Sequence, residues 1–142
     1  MPLSIVGNAR TFLDKHVDYS GAVAGAIILG SIVLIINFEH GWEKALLAAG
    51  KQGAYTLIAG GYMVRFNERI ALAFNRAYVA LPAGVLGAGG LAVSLTLILH
   101  NLKGTPEPLN STIPTIVVVL VGFPVLGAKA RYKQYLASVQ QS

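Results

Sequence analysis

The sequence predicts an all-α polytopic membrane protein, with four transmembrane helices in a compact bundle and an N-terminal amphipathic helix at the interface. Three observations carry that reading. Of 142 residues, 54% are hydrophobic and only 12% are charged, about half the charge of a soluble domain. The apolar residues fall into four long blocks. Lysine and arginine lie almost wholly on alternate connections between those blocks. The connections are too short to fold alone, so 1–142 reads as a single transmembrane domain.

Residues 1–18 form the interfacial segment. Ile5, Phe12, Leu13 and Val17 alternate with Asn8, Arg10, Asp14 and Lys15, the pattern of a helix lying in the headgroup layer. The spans follow at about 19–38, 45–64, 79–99 and 113–128. The first three have the length of about 20 residues that a hydrocarbon core requires. The fourth is shorter. Its Pro114 suits a first helical turn, whereas Pro124 predicts a kink or the end of the regular helix. Phe66, Ile70 and Phe74 recur every four residues, so the second helix should run past the membrane surface and turn near Asn75 and Arg76. Gly104, Pro106 and Pro108 break any helix between spans 3 and 4, and Asn110 is the expected cap of the fourth.

The cations set the orientation. Arg10 and Lys15 precede span 1, Arg65, Arg69 and Arg76 follow span 2, and Lys129, Arg131 and Lys133 follow span 4. Only Lys44 and Lys103 lie on the opposite side. Both termini and the 2–3 connection should therefore be cytoplasmic, and an inner bacterial membrane is the expected location. The net charge of +5 follows from the same distribution, so nucleic acid is not an expected partner. Anionic lipid headgroups on the cytoplasmic side are.

Composition and motifs narrow the chemistry. The chain has no cysteine, which excludes thiolate catalysis, disulfides and Cys-ligated metal. It has no G-x-S-x-G, no H-E-x-x-H, no Walker lysine loop and no paired carboxylates within a span. No catalytic residue and no cofactor is assigned. His40 and His100 end spans 1 and 3 at matching height and are the weak candidates for a haem or metal.

The most informative residue is Lys51, a cation well inside span 2. At 100° per residue, Lys44, Lys51, Tyr55, Ile58, Tyr62, Arg65 and Arg69 share one face. Ala49, Gly53, Thr56 and Gly60 share the opposite face, a small-residue groove that admits a neighbouring helix. Span 3 repeats the device with Ala80, Ala83, Gly87, Gly90 and Ser94, so Gly53, Gly60, Gly87 and Gly90 are expected packing positions, with spans 2 and 3 meeting through them. Lys51 leans toward the outer surface, about 9 Å away at 1.5 Å per residue, a distance that its side chain covers in large part by snorkelling. Gln52 beside it adds a second polar group at that depth.

In size and span count the chain resembles the small four-span multidrug transporters. Their first span carries a glutamate, and here span 1 carries no acid, so the resemblance stops at size. The expected function is that of an oligomer-forming protein, or an accessory subunit of a larger membrane complex. Its stripe, with Lys51, Tyr55, Tyr62, Arg65 and Arg69, and Gln52 beside Lys51, would contact a partner or an anionic lipid. The alternative is a small transporter or channel for an anion or lipid, with a path lined by Lys51, Gln52 and Tyr55.

Overall fold

The computed structural model describes residues 11–102 and 104–141. Within them the chain forms four long helical rods and no strand. We label the rods α1 (Tyr19–His40, ending in a 3₁₀ turn), α2 (42–73), α3 (Ala77–Leu102) and α4 (Pro108–Val139). Residues 11–16 are also helical. Most of the expected interfacial helix, residues 1–10, lies outside the described residues.

Local chemistry sets the ends. Asp18 caps α1, accepting from the Gly21 backbone N–H at 3.3 Å and from the Ser20 hydroxyl at 2.9 Å. Partial burial works to raise the Asp18 pKa. The bonds from Ser20 and Gly21, with the nearby Arg65 charge, outweigh it and hold the carboxyl below its ordinary value. Gly41 turns the chain between α1 and α2 at a φ of 95°, which favours glycine. α2 continues to Ala73 before turning at residues 74–76. Arg131 closes that end from α4. Its guanidinium donates to the carbonyls of Ala71 (2.7 Å), Phe74 (2.6 Å) and Asn75 (2.8 Å), where the helix leaves carbonyls without intrahelical partners.

The fourth rod differs most from expectation. It begins at Pro108 rather than near Ile113, because proline at a first helical position gives up an N–H that had no partner anyway. Asn110 is inside the helix, donating to Glu107 at 3.0 Å, instead of capping it. Pro124 does not end the rod. It stands at the start of the segment Phe123–Val139, directly after a π turn at Val118–Gly122. α2 and α3 carry π turns as well, at Thr56–Gly60 and Val85–Gly89.

The rods pack in a pattern that changes with depth. In the half holding residues 37, 42 and 100, α1 lies along α2, α3 lies along α4, and α1 touches α4, while α2 and α3 barely meet. In the other half, α2 turns to pack against α3 and α4. Met63, Ala88, Ala92, Val119 and Phe123 form the apolar core there. Gly84 and Gly127 let α3 and α4 close around Asn67, whose amide donates to the Phe123 carbonyl at 2.9 Å.

Burial is inverted relative to a soluble domain. Ile27, Ile35, Ile58, Leu86, Leu120 and Val121 face outward, whereas Asn37, Gln52, Asn67, Thr96, His100 and Ser111 are fully buried. Such an exterior suits hydrocarbon, and such an interior is where a membrane helix keeps its polar groups. α1, α3 and α4 are each long and apolar enough to cross a membrane, which marks the chain as a membrane protein. α2, about 48 Å long at 1.5 Å per residue, does not reach that apolarity, since Lys51, Gln52, Thr56 and its glycines dilute it.

Candidate functional site

Polar residues four apart recur on one face of several rods: Gln52 and Thr56 on α2, Thr96 and His100 on α3, Ser111 and Thr115 on α4. Four residues is one helical turn, so each pair shares a face. Those faces converge. His100, 0% exposed, bonds through Nε2 to the Gln52 amide oxygen at 3.0 Å and through Nδ1 to the Thr105 hydroxyl at 2.9 Å. The Gln52 amide nitrogen then donates to the Thr56 hydroxyl at 3.2 Å and toward the Thr115 hydroxyl at 3.5 Å. The Thr56 hydroxyl donates to the Gln52 carbonyl at 2.8 Å. The imidazole is therefore consistent with the Nε2–H tautomer, its Nδ1 accepting from Thr105. Nearby, Asn37 donates to Ser111 at 2.8 Å and to the Val33 carbonyl at 2.9 Å.

This network borders an internal cavity of about 90 Å³. Gln52, Tyr55, Thr56 and Thr115 border it, but its surface is almost wholly apolar, with Leu29, Met63, Ala92, Val119 and Phe123 among the walls. All four rods contribute.

A second space lies outside it. A groove of about 540 Å³ runs where α2 and α3 diverge, lined by Leu46, Leu47, Gly50, Lys51, Ala54, Tyr55, Ile58 and Leu99. Lys51 is its one charged residue, set among aliphatic side chains. The Tyr55 phenol donates to the Ala92 carbonyl at 3.3 Å, and Tyr55 borders both spaces.

The residues singled out from sequence thus divide. Lys51 and Tyr55 share the groove. Gln52 turns inward to His100. Tyr62 is exposed and stacks beside Phe66. Arg65 pairs with Glu68 at 2.9 Å, and Arg69 reaches the Lys15 carbonyl at 3.3 Å, so both arginines sit at the far end of α2 from the groove. Gly53 faces α1, where an added Cβ would come within 3.6 Å of the Ala26 carbonyl, rather than α3. A Cβ at Gly60 would meet Thr56 and one at Gly87 would meet Ile70, each at 2.9 Å, while at Gly90 it would meet nothing within 4 Å. His40 pairs with Glu107 at 3.2 Å, and both ring nitrogens of His100 are engaged. Among the described residues no three metal-ligating side chains cluster.

Sequence reasoning missed the inward network and the part played by Arg131. The signal for the network was present in the i, i+4 polar pairs, but Gln52 reads alone as a polar neighbour of Lys51, Thr56 as a small packing residue and His100 as a helix-end ligand candidate. Comparison of the chain with protein-family models, with curated proteins and with solved structures returned no match.

Proposed function

We propose that this is a four-span membrane protein whose groove beside Lys51 holds an anionic amphiphile, and that it serves through that contact as an oligomer-forming or accessory subunit. The single observation that carries the reading is one cation in an otherwise apolar groove on the lipid-facing side of α2. A charged headgroup is attracted to the Lys51 ammonium, and an acyl chain covers Leu46, Leu47, Ile58 and Leu99; each interaction alone is a weak anchor, and the two together select an amphiphile. The fourth span in this reading is α2, which crosses with the other rods because they pack along its length. Both termini and the 2–3 connection face the cytoplasm, as the cation distribution requires. Arg69, Arg76, Lys129 and Lys133 then meet anionic headgroups on that side, in an inner bacterial membrane.

The transporter reading has less support, because Lys51 and Gln52 open on different spaces with only Tyr55 between them. The test is native mass spectrometry of protein released from membranes containing both phosphatidylglycerol and phosphatidylcholine. Wild type should retain the anionic lipid, and Lys51→Gln should lose it. Equal retention of both lipids by wild type, or no change in the variant, overturns the reading.

A further inference from the structure

The internal cavity carries chemistry that the groove does not. Its lining is uncharged, so it suits a neutral guest. Of the polar groups that border it, one is left with a hydrogen to donate. Thr115, nine-tenths buried, is held only by the 3.5 Å contact from Gln52, at the outer limit of a hydrogen bond. Its own hydroxyl hydrogen has no acceptor among the described residues. The Tyr55 phenol reaches the Ala92 carbonyl at 3.3 Å, which also accepts from Thr96 at 2.9 Å, and it bonds the Thr96 side chain as well, so Tyr55 is already held. Gln52 has its amide oxygen turned away to His100, and its NH₂ is directed to the Thr56 and Thr115 hydroxyls. One hydroxyl hydrogen left without an acceptor, on Thr115, in a neutral and almost wholly apolar space calls for an acceptor oxygen.

The backbone around the cavity is also unusual. The π turns Thr56–Gly60 and Val118–Gly122 both supply lining residues, and the third, Val85–Gly89, abuts it, since a Cβ on Gly89 would strike Val119. Isolated π turns in otherwise regular helices are uncommon and concentrate at functional sites. Here three of them stand around one space.

We propose that this cavity binds the carbonyl end of a neutral, lipid-soluble molecule of the quinone or ketone class, with Thr115 as the principal hydrogen-bond donor and Gln52 and Tyr55 beside it. About 90 Å³ is several times the roughly 10–15 Å³ that admits one water, room for a carbonyl and part of its ring. Val118 in its lining is 40% exposed, so the cavity reaches the bundle's surface there and an attached chain lies outside it, among the helices and lipid. This site is separate from the Lys51 groove and stands or falls independently of it.

The test uses the full chain in phosphatidylcholine nanodiscs, with 2-decyl-1,4-benzoquinone as probe, decylbenzene as the hydrocarbon control and empty nanodiscs as the blank. Wild type should retain the quinone above the blank and show no excess of decylbenzene. Thr115→Val, which keeps the shape and removes the donor, should weaken quinone binding about tenfold, the equivalent of one lost hydrogen bond. Val118→Phe, at a partly exposed lining position, should block it sterically and serves if Thr115→Val does not fold. No quinone excess in wild type, equal excess of decylbenzene, or undiminished binding in the folded variants overturns the proposal.

Discussion

Gln52 and His100 meet across the bundle, amide oxygen to imidazole Nε2 at 3.0 Å, though 48 residues separate them in the chain. Both are fully buried, and the bond joins α2 to α3 where those rods otherwise barely touch. A double-mutant cycle with Gln52→Leu and His100→Leu, followed by unfolding in mixed micelles, should show coupling. Each single change strands a buried partner at a cost of about 1–3 kcal/mol. The double change should cost less than the sum by about 0.6 kcal/mol, and up to about 1.7. Strict additivity would show that the bond contributes nothing.

Arg131 is the tie between the end of α2 and α4. Arg131→Ala leaves three carbonyls at a helix end without their donor and should lower stability by about 1–2 kcal/mol. Arg131→Lys should recover only part of that, because an ammonium cannot reproduce the planar fork that reaches Ala71, Phe74 and Asn75 together. Thermal unfolding of both variants in one detergent checks the order.

Glycines that look alike in sequence should respond oppositely to alanine. At Gly84 a Cβ collides with the Asn67 side chain, which is itself fixed by the Phe123 carbonyl, and the overpacking should cost about 1–3 kcal/mol. At Gly90 a Cβ meets nothing, and alanine should be neutral or raise stability by about 0.4–1 kcal/mol. Melting curves of Gly84→Ala and Gly90→Ala that moved together would contradict the packing described.

Asp18 should make the start of α1 sensitive to acid. Its folded pKa lies below the ordinary carboxylate value, so its contribution is complete above the unfolded pKa and is lost as pH falls through the folded one. Asp18→Asn should remove that step while retaining a capping oxygen. Helix unfolding followed by circular dichroism between neutral pH and strong acid should show wild type losing more stability than the variant.

Much of the architecture could be read from the chain, and the reasons are physical. Apolar blocks and cation placement are one-dimensional signals, so the positions of the rods follow from them, and the run of α2 past Val64 follows from the four-residue recurrence of Phe66, Ile70 and Phe74. The fourth rod was harder. Pro108 looked like a breaker and Pro124 like a stop, yet the first fills a position that needs no N–H and the second follows a π turn. π turns leave no mark in composition. The wheel separated Lys51 from the small face of α2, but it could not show that the small face meets α1. Nor could it show that Gln52, one residue beyond Lys51, points into the bundle. A single residue step rotates a side chain by 100°, which is enough to divide Lys51 and Gln52 between the outer groove and the core. What each one meets depends on which rods pack against which face, and that is a property of the assembled fold.

The central claim is that Lys51 draws an anionic amphiphile into the groove it shares with Leu99. Because the chain has no cysteine, a spin label at Leu99→Cys reports on that groove alone. Its electron paramagnetic resonance spectrum should broaden, as the label is immobilised, when phosphatidylglycerol replaces phosphatidylcholine in the bilayer. Adding Lys51→Gln should abolish the difference. Identical spectra in the two lipids with Lys51 in place would contradict the account.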